Sequence, residues 1–111
     1  MSKRYRVTIT NSAKEDVKAK KKYILRKFKY REYANSYSAM IKKAAKELDT
    51  LPAGYETTGF VYRGYDIYFR PVHGHLLFFI IDEYESTLII LRVLQDGMDW
   101  ENIIRNWLRN Q

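Results

Sequence analysis

Leu76-Leu77-Phe78-Phe79-Ile80-Ile81 is an unbroken run of six apolar residues, bounded by Pro71-Val72-His73-Gly74-His75 on one side and Asp82-Glu83-Tyr84-Glu85-Ser86 on the other. Six residues are too few for a helix of ordinary length and suit a strand. With no polar residue at either alternating position, that strand must be covered on both faces. The run is therefore expected at the centre of a sheet. Downstream of the acidic turn, Thr87 to Leu94 is a further strand, interrupted only by Arg92. Upstream, Phe60-Val61-Tyr62 and Tyr65-Asp66-Ile67-Tyr68-Phe69-Arg70 lie either side of the turn residues Arg63-Gly64 and read as two short strands. The sheet is expected to be mainly antiparallel and twisted.

The ends of the chain complete the pattern. Tyr5, Val7 and Ile9 alternate with Arg6, Thr8 and Thr10, the period of a half-buried strand. Glu15 follows Ser12 at capping-box spacing, which predicts a helix starting at Ser12 and ending near Tyr30, with Ala13, Val17, Ile24, Leu25 and Phe28 on its apolar face. A second helix is predicted over roughly 32–50, presenting Tyr33, Tyr37, Met40, Ile41, Ala44, Ala45 and Leu48, and Leu51-Pro52-Ala53-Gly54 stops it. The short link around Lys29 to Arg31 makes the two an antiparallel hairpin. Trp100, Ile103, Ile104, Trp107 and Leu108 mark an amphipathic C-terminal helix with Asp99 as its N-cap. The order β-α-α-β-β-β-α gives an α+β fold, with the helical hairpin on one face of the sheet and residues 1–111 forming a single domain around one core.

Composition excludes several classes of function. The 111 residues contain no cysteine, so neither a disulfide framework nor a thiolate metal site is available, and His73 with His75 cannot alone complete a zinc shell. No metal and no cofactor are expected. Met1-Ser2-Lys3-Arg4 leads into alternating residues rather than the apolar core of a signal peptide, and no apolar run approaches the length of a membrane span. The expectation is a cytoplasmic protein with no membrane partner.

Charge is divided unevenly. Residues 1–46 carry fifteen Lys/Arg against three acids, a net +12, whereas residues 47–111 carry five against ten, a net −5. Nine of the cations fall between Lys14 and Arg31. Such a density creates a positive potential if the residues share a surface, and nucleic acid, an acidic protein segment or solvent alone could face it.

Three stretches carry a resemblance. Ser12-Ala13-Lys14-Glu15-Asp16-Val17, Leu48-Asp49-Thr50-Leu51-Pro52-Ala53-Gly54 and above all Ile90-Leu91-Arg92-Val93-Leu94-Gln95-Asp96-Gly97-Met98-Asp99-Trp100, in this order and spacing, resemble the RelE/ParE superfamily of bacterial toxins, closest to the ParE branch. The resemblance covers nearly the whole chain. It implies the toxin component of a type II toxin-antitoxin, or plasmid stabilization, system, which inhibits growth by binding DNA gyrase and is neutralised by a cognate antitoxin. The alternative it implies is a ribosome-dependent mRNA endonuclease of the RelE type, so whether the chain is an enzyme stays open.

The candidate site residues divide along the same line. The RelE branch calls for lysines and arginines on the strands facing RNA, but Asp66, Tyr68 and His75 stand at such positions, and Gln95 replaces a common histidine. Cleavage through the 2′-hydroxyl needs an acid, a base and cationic stabilisation. Arg70, His73, His75 and Arg92 are the candidates for those roles. Arg92 breaks an apolar strand and so demands a partner, Asp82, Asp96 or Asp99, unless it stands at a functional surface. For binding the target or antitoxin, the candidates are Lys18, Lys21 and Lys22 on the basic helix, Arg92, and Met98, Trp100 and Trp107 at the C-terminal end. Acidic antitoxin segments would be steered by the lysines and anchored by an apolar groove.

Overall fold

The structure is a computed structural model that describes residues 3–111. Met1 and Ser2, which open the stretch read above for a signal peptide, lie outside the described residues. The elements are β1 (Arg6–Ile9), α1 (Asn11–Phe28), α2 (Arg31–Glu47) with a single 3-10 turn at Leu48–Thr50, β2 (Glu56–Tyr62), β3 (Tyr65–Val72), β4 (His75–Asp82), β5 (Thr87–Gln95) and α3 (Trp100–Arg109). The order is thus β-α-α-β-β-β-β-α. The two strands read either side of Arg63-Gly64 are both present and longer than expected, and the expected order β-α-α-β-β-β-α had counted them as one.

The five strands lie in the order β1-β5-β4-β3-β2, with β1 parallel to β5 and every other pair antiparallel. β4 sits in the centre, as its apolar run requires. The hairpin covers one face, where Leu77, Phe79, Leu88, Ile90 and Val93 meet Ala13, Ile24, Ile41, Ala44, Ala45 and Leu48. Helix α3 covers the other, where Ile67, Phe78, Ile80, Leu91 and Leu94 meet Ile104, Trp100 and Trp107. Instead of the one core expected, the sheet therefore separates two apolar layers.

Local capping differs from the capping-box reading. Thr10, not Ser12, caps α1: its side chain accepts from the Ala13 N–H at 3.3 Å and also donates to the Ile90 and Leu91 carbonyls. The choice is tertiary, since only Thr10 can cap the helix and tie it to β5 together. Asp99 caps α3 as expected. At the other end of α1, Lys29 is left-handed (φ 59°) and turns the chain into α2. Leu25, Phe28 and Tyr33, read as apolar-face residues, are exposed at this end of the hairpin, because the buried part of α1 is confined to Ala13 and Ile24.

A bulge shapes the end of β5. Phe78 pairs with Arg92 while Phe79 pairs with Ile90, which leaves Leu91 as an extra residue. Ile90 and Val93 therefore both face the hairpin, three residues apart. β1 stops at Ile9, opposite Ile90, so from Leu91 onward β5 has no strand beside it on that edge.

Candidate functional site

The uncovered end of β5 is closed by α1. The Asp16 carboxylate accepts two hydrogen bonds from the Arg92 guanidinium, Nε at 2.7 Å and Nη2 at 2.8 Å, and a third from the Val93 N–H at 2.9 Å. A backbone donor that a neighbouring strand would have taken is thereby satisfied by a side chain. Both side chains are about 15% exposed. The Arg92 guanidinium also lies 5.8 Å from the Trp107 ring centroid on α3, so this one residue links the helical layers on opposite faces of the sheet. One turn further along α1, Lys20 donates to Gln95 Oε1 at 2.7 Å.

Beside this clamp a cleft of about 300 Å³ is lined by Lys20, Tyr37, His75, Arg92, Gln95 and Met98, among others. His75 begins β4, its ring 5.1 Å from that of Tyr37 and its Nδ1 3.1 Å from the His73 carbonyl. Its Nε2 is buried without a hydrogen-bond partner. Burial, and then the nearby Lys20 charge, hold the His75 pKa below its ordinary value against the opposing pull of the His73 carbonyl. The Tyr37 phenol is pushed up to about 12, by burial first and the Asp16 charge second, so it remains a proton donor at neutral pH.

A second concavity, about 470 Å³, runs between α1 and α2. Lys14, Lys18, Lys21, Lys22 and Arg31 rim it, Val17, Leu25 and Ala34 supply apolar surface, and no acid lines it. Among the described residues, no three His, Asp or Glu side chains gather where a metal ion could be held, and no helix is long and apolar enough to cross a membrane.

The family model described as the ParE toxin of the type II toxin-antitoxin system parDE matches residues 7–100. The chain belongs to the ParE toxin family. It is the toxin of a type II toxin-antitoxin module, and a cognate antitoxin is its partner. Among solved structures, the RelBE2 toxin-antitoxin complex from Mycobacterium tuberculosis is similar, with 19% identity, a TM-score of 0.56, and coverage of 85% of this chain and 93% of that one. At that identity the likeness speaks for the fold. No curated protein sequence matches the toxin.

The structure of the toxin brings together only part of the residues singled out from sequence. His75 and Arg92 line one cleft, with Met98 at its rim. His73 is on the β3–β4 turn with φ 47°, against a shallow surface that includes Met40 and Glu47. Arg70 is elsewhere on β3, its Nε 3.5 Å from the Ala53 carbonyl. Lys18, Lys21 and Lys22 share the basic concavity. Trp100 packs on Phe69 and Phe78, and Trp107 stacks on Tyr62 at 5.4 Å.

Arg92 has the ion pair its place in an apolar strand demands, but the partner is Asp16 and not Asp82, Asp96 or Asp99. Sequence reasoning used Asp16 only as part of the Ser12–Val17 stretch and left Lys20 and Tyr37 out of the site. The signal was present: Asp16 lies three residues after Ala13 and four before Lys20, on the flank of the helix that turns toward the sheet.

Proposed function

We propose that the toxin stops growth by binding DNA gyrase as a protein inhibitor, and that its antitoxin occupies the basic concavity between α1 and α2. One observation carries the choice of target. Of the groups in the cleft that could handle an RNA phosphate, Arg92 is engaged twice by Asp16 and Lys20 is engaged by Gln95, while Arg70 does not line the cleft at all. Phosphoryl chemistry depends on cations aimed where charge develops, and here the cations are spent on holding α1 to β5. A surface for protein contact needs no such groups. Exposed Met98, next to the start of α3, offers an apolar anchor, with Trp100 and Trp107 fixing the helix behind it and Arg92 bracing both layers. The concavity suits an acidic, amphipathic antitoxin segment, since five cations surround its apolar surface.

A second reading has its own support. The ring of His75, whose Nε2 is buried without a partner, lies 5.1 Å from that of Tyr37 in one cleft, and opening of the cleft would expose a base beside a hydroxyl donor. Release of Lys20 from Gln95 would add a cation, and the toxin would then be an mRNA endonuclease working on the ribosome. Pulse labelling of DNA and protein synthesis within minutes of inducing the toxin without antitoxin separates the two. Early failure of DNA synthesis, together with inhibition of gyrase supercoiling by purified toxin, supports the first reading. Early failure of protein synthesis that His75→Gln abolishes overturns it in favour of the second.

A further inference from the structure

The end of the helical hairpin carries a surface of aromatic rings that neither reading uses, although Lys20 at its inner edge lines the cleft and Arg31 rims the concavity. Between Asp16 and Glu32 there is no acid, and eight Lys/Arg fall in that interval. Among them stand rings that the core leaves out: Tyr23, Phe28, Tyr33 and Tyr30, the last two 54% and 62% exposed. These form a connected series. Lys20 Nζ lies 4.9 Å from the Tyr23 centroid, and Lys27 Nζ lies 5.6 Å from Tyr23 and 5.5 Å from Phe28. Phe28 meets Tyr33 edge to face at 5.6 Å, and Tyr33 meets Tyr30 at 5.7 Å. Closing a hairpin requires at most the Phe28–Tyr33 contact. Tyr30, in the link itself, touches only the edge of Tyr33 among the rings and leaves 62% of its surface to water.

We infer that the tip of the hairpin is a binding site for single-stranded nucleic acid, with bases stacking on Tyr30 and Tyr33 and the backbone phosphates drawn to Lys27, Lys29 and Arg31. The chemistry of the two ends of the series differs in the required way. Cations already lie over Tyr23 and Phe28, but none lies over Tyr30 or Tyr33. Flat, sequence-tolerant stacking on exposed rings inside a positive field is how unpaired strands are held, whereas a duplex hides its base faces. A membrane surface would favour rings projecting beyond the cations, and here two lysines reach across ring faces instead. The site stands whichever target the toxin has.

The test is fluorescence anisotropy of a labelled oligothymidylate titrated with the intact toxin over a range of salt, beside a duplex of equal length and phosphatidylglycerol vesicles. The expected result is a preference for the single strand and a slope of log K against log salt of about −2 for three phosphate contacts. Tyr30→Ala/Tyr33→Ala should weaken binding about tenfold at unchanged slope, and Tyr30→Phe/Tyr33→Phe should retain it. Lys27→Gln/Lys29→Gln should flatten the slope by about 1.4. All four substituted positions lie outside the buried core, and unchanged thermal melting confirms that the variants fold. Equal affinity for duplex and single strand with no effect of ring removal would reduce the tip to charge attraction alone and overturn the inference. So would ring-dependent binding to the vesicles with ring-independent binding to the oligonucleotide.

Discussion

Asp16 serves three donors at once, and removing it exposes two liabilities together: an Arg92 guanidinium about 15% accessible and a Val93 N–H with no strand beside it. Breaking a largely buried pair from one side costs about 3 kcal/mol, much of it the penalty on the abandoned partner. Asp16→Ala and Arg92→Ala are each expected to lower stability by about that much in urea denaturation. Asp16→Leu/Arg92→Met should lie closer to the wild type than either single change. Additive losses would show that the pair is not coupled. It follows that lost toxicity in Arg92→Ala is informative about target contact only when the variant's fold is measured beside it. His75 supplies a separate, pH-dependent term. Burial lowers its pKa in the folded chain, so as pH falls below about 6.5 the unfolded chain takes up the proton first and folding becomes less favourable. The urea midpoint should fall on acidification from pH 7 toward 5, and His75→Gln should flatten that fall. The Glu83 carboxylate, held below its ordinary 4.5 by Lys3 and Tyr5, acts only at lower pH and does not confuse the window.

At the scale of elements, the turn between α1 and α2 runs through Lys29 in a left-handed conformation that glycine adopts without strain. Lys29→Gly should therefore raise the thermal midpoint, by up to about 1 kcal/mol of stability, while removing one cation from the hairpin tip. Unchanged or lower melting would mean that the Lys29 side chain offsets the strain. The helices and the central strand were legible in the sequence because each has one dominant period, and β4 could not be anything but a covered strand. What was not legible depended on partners distant in the chain. Thr10 and Ser12 both satisfy local capping rules, and the carbonyls of Ile90 and Leu91 decide between them. The bulge at Leu91 leaves no mark on composition, yet it places Ile90 and Val93 on one face. The Asp16–Arg92 pair joins residues 76 apart, so spacing could show that Arg92 needed an acid without showing which. Lys20 and Tyr37 entered the cleft through the same long-range closure.

Across the whole molecule, positive charge is concentrated in the hairpin layer and negative charge in the sheet and C-terminal half. A partner bearing acidic side chains is drawn to one side of the toxin and turned away from the other, an orienting field that salt screens over about 8 Å at physiological ionic strength. Stopped-flow association with an acidic antitoxin should slow at least tenfold from low to high salt, with little change in the dissociation rate. A dissociation rate that carried the salt effect instead would place the charges inside the contact and deny them a steering role.

β1 is the first strand made and the last that can be used. Its neighbour in the sheet, β5, lies 81 residues further along, as Arg6 and Thr87 show. At ordinary speeds of synthesis, roughly ten seconds separate the two on the ribosome. Throughout that interval β1 has no strand to pair with, and Asp16 has neither the Arg92 guanidinium nor the Val93 N–H to hold. A message interrupted before β5 therefore yields a chain whose first strand is unpaired and whose first helix is not yet clamped to the sheet.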